Sequence, residues 1–222
     1  VFIFENTNGQ WQQVFTFNNP IGGGFNDQMG RAVALHDNIA YVGNPFGLDD
    51  DGIVYLLEKQ QGTWTSTTSI DRGADGNFGA AIEVSDRYLL IGAPEDSQFA
   101  NNGGRVWLFD RVNNSWVERL SFTSDDQELG DRFGNTIDID GDIALIGAVQ
   151  EDSFGTFSGA AYIFNLDSNN FGQIQKLTAS DGAIAQDFGN AVAISGNTAF
   201  VGAPGDDDQG DDGKNQSRYQ PC

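Results

Sequence analysis

Short runs of alternating apolar and polar residues recur along the chain, and glycine-rich turns separate them. The stretch FGNAVAISGNTAFVGAP at residues 188–204 contains two such runs around a turn at 195–197. Alternation with a period of two is typical of a β-strand with one buried face, and Ser-Gly-Asn is typical of a hairpin turn. The stretch therefore predicts two short antiparallel strands joined by a tight turn.

This hairpin occurs four times at one spacing. Phe-Gly opens three copies and Met29-Gly30 opens the first, and a second glycine follows thirteen residues later in each copy, in two copies before Ala-Pro. Asn44 and Val149 depart from the Gly-Ala-Pro pattern. We interpret the glycines as positions where neighbouring sheets approach too closely for a Cβ atom, so these motifs are assigned to packing. The motif residues are Gly30, Gly43, Phe78, Gly79, Gly92, Pro94, Phe133, Gly134, Gly147, Phe188, Gly189, Gly202 and Pro204.

A second pair of predicted strands completes each unit. The segments IVYLL, RVWLF and AAYIF begin at residues 53, 105 and 160, and VFIF at residues 1–4 matches them. Each is followed by an aromatic residue that opens a fourth strand, and these aromatics are Trp11, Trp64, Trp116 and Phe171. Four antiparallel strands repeated about every 50 residues predict the blades of a β-propeller.

The sequence therefore predicts an all-β fold, a β-propeller of four-stranded antiparallel blades with about four blades' worth of chain. Residues 1–213 form a single propeller region, and residues 214–222 form an atypical tail. Strands three and four of a partial blade occupy 1–24, complete blades occupy 25–76, 77–130 and 131–186, and strands one and two of another partial blade occupy 187–213. The two partial blades could together close a four-bladed ring, or the chain could be an arc of a larger propeller.

The two motifs and their spacing resemble the FG-GAP repeat family, best known from the propeller of integrin α subunits. The segment 177–213 is most similar to the bacterial and algal type. The resemblance implies a propeller of about seven blades on extracellular or cell-surface proteins that bind other molecules. It therefore favours the arc, with the remaining blades of a larger propeller missing. The integrin calcium loop between strands one and two cannot be transferred, because that connection has only two or three residues here.

The charge of the chain is strongly negative, with 32 acidic and 11 basic residues and a net charge of -21. Such a surface disfavours nucleic acid as a partner, and the chain has no apolar run long enough for membrane insertion. About two thirds of the 32 acids fall in the connections from strand two to three and from strand four to one. A meandering blade places these connections on one side, which we call the loop face. The opposite side, made by the other two connections, is the hairpin face.

The loop face suggests a cation as cofactor. Clustered carboxylates repel one another unless a cation intervenes, and calcium accepts six to eight oxygen ligands in flexible loops. Calcium is therefore the candidate cofactor, and the alternative is a solvated acidic surface that keeps the protein soluble. The candidate metal ligands are Asp49, Asp51, Asp96, Asp152, Asp206, Asp207 and Asp208.

The sequence gives little support for catalysis. His36 is the single histidine, Cys222 is the single cysteine, and no nucleophile, P-loop or dinucleotide motif occurs. We predict no enzymatic activity and no catalytic residue, because several similar acidic loops suit multivalent binding better than one active site. The predicted function is an extracellular or surface-displayed binding or adhesion module that recognises protein or glycan ligands through the loop face, with calcium assisting. The alternatives are an enzyme that cleaves polysaccharide with two loop carboxylates, and a lectin with sugar sites and one exposed aromatic between blades.

Overall fold

The computed structural model describes residues 1–21, 28–47, 51–73, 76–153 and 155–206. This part of the chain forms sixteen β-strands and contains no helix. The strands are β1 (Phe2–Thr7), β2 (Gln10–Thr16), β3 (Val33–His36), β4 (Ile39–Asn44), β5 (Ile53–Gln60), β6 (Thr63–Asp71), β7 (Ala81–Val84), β8 (Tyr88–Ala93), β9 (Arg105–Val112), β10 (Ser115–Phe122), β11 (Phe133–Asp140), β12 (Ile143–Ala148), β13 (Ala160–Asn165), β14 (Gly172–Leu177), β15 (Ala191–Ser195) and β16 (Thr198–Gly202).

Twelve of these strands form three four-stranded antiparallel sheets, in which every strand pairs with its neighbour in sequence. The sheets are β3-β4-β5-β6, β7-β8-β9-β10 and β11-β12-β13-β14, which we call blades 1, 2 and 3. The pairs β1-β2 and β15-β16 form two separate two-stranded sheets. Among the described residues β16 therefore does not pair with β1, and the fold is a partial β-propeller, as the sequence predicts.

The three blades share one strand register, because the same residue pattern is placed at the same positions. The second motif glycine pairs with an equivalent residue of the third strand in each blade, as Gly43 with Val54 and Gly92 with Val106. A β-bulge interrupts the pairing of the third and fourth strands at nearly the same place in each blade. Equivalent positions in different blades can therefore be compared directly.

Apolar layers fill the spaces between consecutive sheets. Phe78 is fully buried between blades 1 and 2, and its ring contacts Trp107 edge-on with centroids 5.2 Å apart. Phe133 takes the same place between blades 2 and 3, where its ring contacts Phe122 and Tyr162. Phe78 and Phe133 are thus core residues, and each joins its own blade to the preceding one.

The motif glycines lie where the inner strands of neighbouring blades touch. A Cβ atom added to Gly92 would lie well under 3.0 Å from the carbonyl oxygen of Gly134 in the next blade, and Gly43 and Gly147 face their next blades in the same way. Gly202 differs, because its added Cβ would be 3.5 Å from the nearest atom, in Ala191. Three of the four second motif glycines are therefore required by close approach, as the sequence suggests.

Backbone pairing between blades reinforces this packing. The Phe133 N–H donates to the Gly103 carbonyl at 2.9 Å, and Gly104 and Phe133 form a short parallel bridge between blades 2 and 3. Gly159 and Phe188 repeat this bridge between blade 3 and β15. Each blade is therefore attached to the next by both hydrogen bonds and apolar contacts.

Candidate ligand-binding face

The loops from strand two to three begin with the same tight turn in successive units. The backbone N–H of Asp96 donates to the Ala93 carbonyl at 3.1 Å, and that of Glu151 donates to the Ala148 carbonyl at 3.2 Å. The N–H of Asp206 donates to the residue three before it in the same way. The repeat therefore places three carboxylates, Asp96, Glu151 and Asp206, at one equivalent position of the loop face.

Each of these three carboxylates is held by other groups of the protein. Asp96 is 3% exposed and forms an ion pair with Arg105, and it also accepts a hydrogen bond from the Gln98 N–H at 3.0 Å. Asp206 accepts a hydrogen bond from the side-chain amide of Gln186 at 3.1 Å. These acids therefore fix the loops in place.

Glu151 belongs to a larger cluster centred on Lys176 of β14. The Lys176 Nζ lies 2.8 Å from Glu151, 2.6 Å from Asp126 and 2.7 Å from the Ser153 hydroxyl, above the ring of Tyr162. Burial alone would lower the pKa of Lys176, but the hydrogen bonds to Asp126 and Glu151 raise it above its ordinary value. A cation is therefore present among these loop acids, and it is the protein's own ammonium group.

Asp131 lies beside this cluster, and its carboxyl group has a raised pKa. Its carboxylate is 2% exposed and accepts the Glu128 N–H at 2.6 Å. Burial raises the pKa of Asp131 to about 6, and the nearby charge of Glu151 adds to the rise. Protonated Asp131 could therefore donate a hydrogen bond within the cluster.

In the following unit, Gln186 is the hydrogen-bond donor at the position equivalent to Asp131. Gln186, like Asp131, stands two residues before the phenylalanine of its motif, and it accepts the Ala183 N–H at 2.8 Å. Its amide nitrogen donates to Asp206, which is the equivalent of Glu151. The carboxyl of Asp131 thus stands where the next unit has an amide.

A further ion pair joins two blades across the loop face. The Arg132 guanidinium lies 3.3 Å from the carboxylate of Glu95, so it connects the start of blade 3 to a loop of blade 2. Arg132 has a positive φ of 57°, and the residues before Phe78, Phe188 and the variant Met29 also have positive φ, as in Asn77 at 64°. This left-handed residue is a feature of the repeat that the sequence pattern did not reveal.

Four carboxylates of the loop face point into solvent. Among the described residues no basic side chain lies within ion-pair distance of them, although Asp152 accepts the Phe157 N–H at 2.6 Å. These exposed acids are Asp125, Glu128, Asp152 and Asp181. They are the charges that a partner approaching this face would meet first.

The hairpin face is organised differently, because two of its acids, Asp37 and Asp142, form ion pairs with arginines of a neighbouring blade. Arg87 lies 2.6 Å from Asp142, and Arg111 lies 3.0 Å from Asp37. His36 Nε2 lies 3.0 Å from Asp86, so the single histidine also contributes to blade contacts. The two faces therefore differ in the availability of their carboxylates.

Four of the predicted metal ligands lie among the described residues, and each of them belongs to a different loop. Asp96 and Asp206 are held as described above, Asp152 is exposed, and Asp51 lies just before β5. Asp49, Asp207 and Asp208 lie outside the described residues. Within the described residues no group of three or more His, Cys, Asp or Glu side chains is arranged to hold a metal ion.

Sequence reasoning identified the acidic loops but missed their partners. Lys176 is 25 residues from Glu151 in sequence and 50 from Asp126, and only the fold brings them together. Arg105 gave a weak signal, since it directly follows the glycine that opens the third strand. The equivalence of Asp131 with Gln186 could have been found by aligning the repeats.

Comparison with models of known protein families agrees with this architecture. Residues 116–164 and 171–219 each match the model of the FG-GAP repeat. No curated protein matches the chain significantly. The solved structure of Sqt1 from Chaetomium thermophilum is similar over 70% of this chain and 36% of that one, with 18% identity and a TM-score of 0.48. The chain thus spans about a third of the length of that protein. The described residues include no helix suited to crossing a bilayer.

Proposed function

Because the chain carries FG-GAP repeats on a partial β-propeller, we propose that it is a non-catalytic binding or adhesion module of an extracellular or cell-surface protein. FG-GAP repeats are often found in adhesion and ligand binding, and the chain has a net charge of -21. The proposed ligand is a protein with a basic surface, which contacts the loop face. The remaining blades of a larger propeller are part of this proposal.

One observation carries the choice of face. Asp125, Glu128, Asp152 and Asp181 are exposed on the loop face, whereas hairpin-face acids such as Asp142 are paired with basic side chains. Exposed carboxylates of one sign attract a basic partner over distance and set its orientation. The paired carboxylates of the hairpin face offer less uncompensated charge to such a partner.

The test compares two triple variants with equal changes in net charge. Asp125→Asn with Glu128→Gln and Asp181→Asn removes three loop-face charges, and Asp37→Asn with Asp110→Asn and Asp142→Asn removes three acids near the hairpin face that are paired with arginines. Biolayer interferometry measures binding of an oligolysine peptide to each protein. We expect about tenfold weaker binding for the loop-face variant, since three exposed charges contribute together about 1.4 kcal/mol. Equal weakening by both variants would contradict the proposal.

We also propose calcium as an assisting cation at the loops that carry Asp49, Asp207 and Asp208. The proposal is restricted to these loops because Asp96 and Asp206 already have protein partners. A thermal melt with EDTA, CaCl₂ or MgCl₂ tests it, since an ion at about 100 times its Kd adds about 2.7 kcal/mol. A calcium-specific rise that Asp207→Asn with Asp208→Asn reduces supports the proposal, and equal rises with both ions refute it.

A further inference from the structure

A groove of about 400 Å³ runs between the outer strands of blades 1 and 2. One wall is the C-terminal half of β6 with Arg72, and the other is the start of β10 with Trp116. The volume lies within the range of small-molecule binding sites in proteins.

The groove exists because β6 carries smaller side chains than β10 at equivalent positions. Thr68 pairs with Leu56, and at the same register of blade 2 Leu120 pairs with Leu108. Two residues further along, Ile70 stands where blade 2 has Phe122. A leucine and a phenylalanine are thus replaced by a threonine and an isoleucine.

At the next interface the corresponding space is filled. Phe122 packs against Phe133, Phe164 and Phe171 between blades 2 and 3. The bulge residue Arg119 also crosses this interface and donates to the Leu166 carbonyl, whereas the equivalent Thr67 of blade 1 bonds only to its own blade at Leu56. The opening between blades 1 and 2 is therefore filled at the interface of blades 2 and 3 and is not a general property of the repeat.

The aromatic part of the groove is held rigidly. The Trp116 indole N–H donates to the Tyr41 hydroxyl at 2.8 Å, so the partly exposed ring is fixed before any ligand arrives. Arg72 lies over the buried ring of Phe109 at 5.3 Å and forms an ion pair with Glu118 across the groove. Preorganised groups of this kind lose little entropy on binding.

The polar part of the groove contains donors and acceptors of both signs. Glu58 and Asp71 supply carboxylates, Arg72 a guanidinium, and Thr68 and Ser69 neutral hydroxyls. A ligand of either charge would meet a like charge in this space. A neutral polyol meets no such repulsion, because every hydroxyl both donates and accepts, and its C–H face can pack on an indole ring.

We propose that this groove binds a neutral saccharide of one or two rings, with Trp116 stacking on one sugar face. Glu58, Asp71 and Arg72 then bind the sugar hydroxyls. The inference rests on the proposed function only in treating the chain as a binding module. It uses a different surface, so the loop-face variants leave it unchanged.

The test uses a variant that fills the groove with the residues of the next blade. Thr68→Leu with Ile70→Phe copies Leu120 and Phe122, so the substituted strand retains a residue pattern that already folds in this protein. Gln175→Leu is the matched control, because Gln175 is exposed at the equivalent position of blade 3. Saccharide binding to the full chain is measured by saturation-transfer NMR with cellobiose, maltose, lactose and chitobiose, each at millimolar concentration. A neutral-glycan array is probed with the same proteins.

We expect the wild type and Gln175→Leu to bind at least one of the saccharides, and we expect Thr68→Leu with Ile70→Phe to bind none. Binding that the filled variant retains places the sugar elsewhere and overturns the proposal. Absence of binding to all the saccharides overturns it as well. Binding of oligolysine is measured on the same proteins. If the wild type bound oligolysine but no saccharide, and the filled variant bound neither, the ligand of the groove would be a cation and the proposal would be overturned. Thermal melts establish that both variants are folded.

Discussion

The contact between blades at Gly92 predicts the cost of adding a single methyl group. In Gly92→Ala the new Cβ would point at the Gly134 carbonyl oxygen of the next blade, well under 3.0 Å away. The obstacle is backbone within a sheet, so no flexible side chain can move aside. Gly92 does not have a positive φ, so the substitution adds no backbone strain and isolates the steric effect.

The magnitude follows from two opposing effects. Overpacking a well-packed interface costs typically about 1–3 kcal/mol, and we expect the upper end because two strands must separate. Removing a glycine from a strand returns about 0.5–1 kcal/mol. Gly92→Ala should therefore lower the free energy of unfolding by about 2 kcal/mol. Gly202→Ala is the matched control, because its Cβ would be 3.5 Å from Ala191, an ordinary contact.

Urea unfolding followed by tryptophan fluorescence measures both variants. We expect Gly202→Ala to gain about 0.5 kcal/mol, since only the backbone effect acts there. If Gly92→Ala were as stable as the wild type, the close approach of blades at this glycine would be wrong. If both variants lost the same amount, the loss would come from the motif itself and not from the neighbouring blade.

Three further predictions concern the loop face and the core. The pKa of Asp131 is raised from 3.8 to about 6 in the folded protein, so the free energy of unfolding should fall as the pH rises from about 4 to 6. Urea titrations at several pH values should show this fall in the wild type and not in Asp131→Asn. Arg105→Ala should cost about 3 kcal/mol in the same assay by leaving buried Asp96 unpaired, and adding Asp96→Ala should recover part of it. Phe133→Ala should lower the free energy of unfolding by about 3–5 kcal/mol. Calorimetry should show a smaller loss for Phe188→Ala, because the Phe188 side chain is less buried.

Most of the fold could be predicted from the sequence because each strand carries its own pattern. The glycine spacing that includes Gly43 and Gly92 defined the inner hairpins, and the aromatics at the start of each fourth strand defined the outer ones. Both signals are local and recur several times, so a departure such as Met29 or Asn44 does not obscure them. The β-bulges could not be predicted, since they depend on the twist between paired strands.

The chemistry of the loop face was predictable only as composition. A run of acids indicates where charge accumulates, but not which carboxylate turns inward to a basic group. Asp96 and Asp152 look alike in sequence, yet Asp96 is buried against Arg105 and Asp152 is exposed. The difference arises because Glu151, not Asp152, occupies the position equivalent to Asp96. The two loops have the same length, but Gln150 stands where the first loop has Glu95, so the pair of acids begins one residue later in the second loop.

The most direct test of the proposed binding face is hydrogen–deuterium exchange of the full chain with and without oligolysine. We expect slower exchange in the loops of the loop face, at residues 123–132, 149–153 and 178–187. We expect unchanged exchange at the hairpin-face turns, at residues 37–38, 85–87 and 141–142. Protection confined to those turns, or spread equally over both faces, would contradict the assignment of the loop face as the surface that binds the partner.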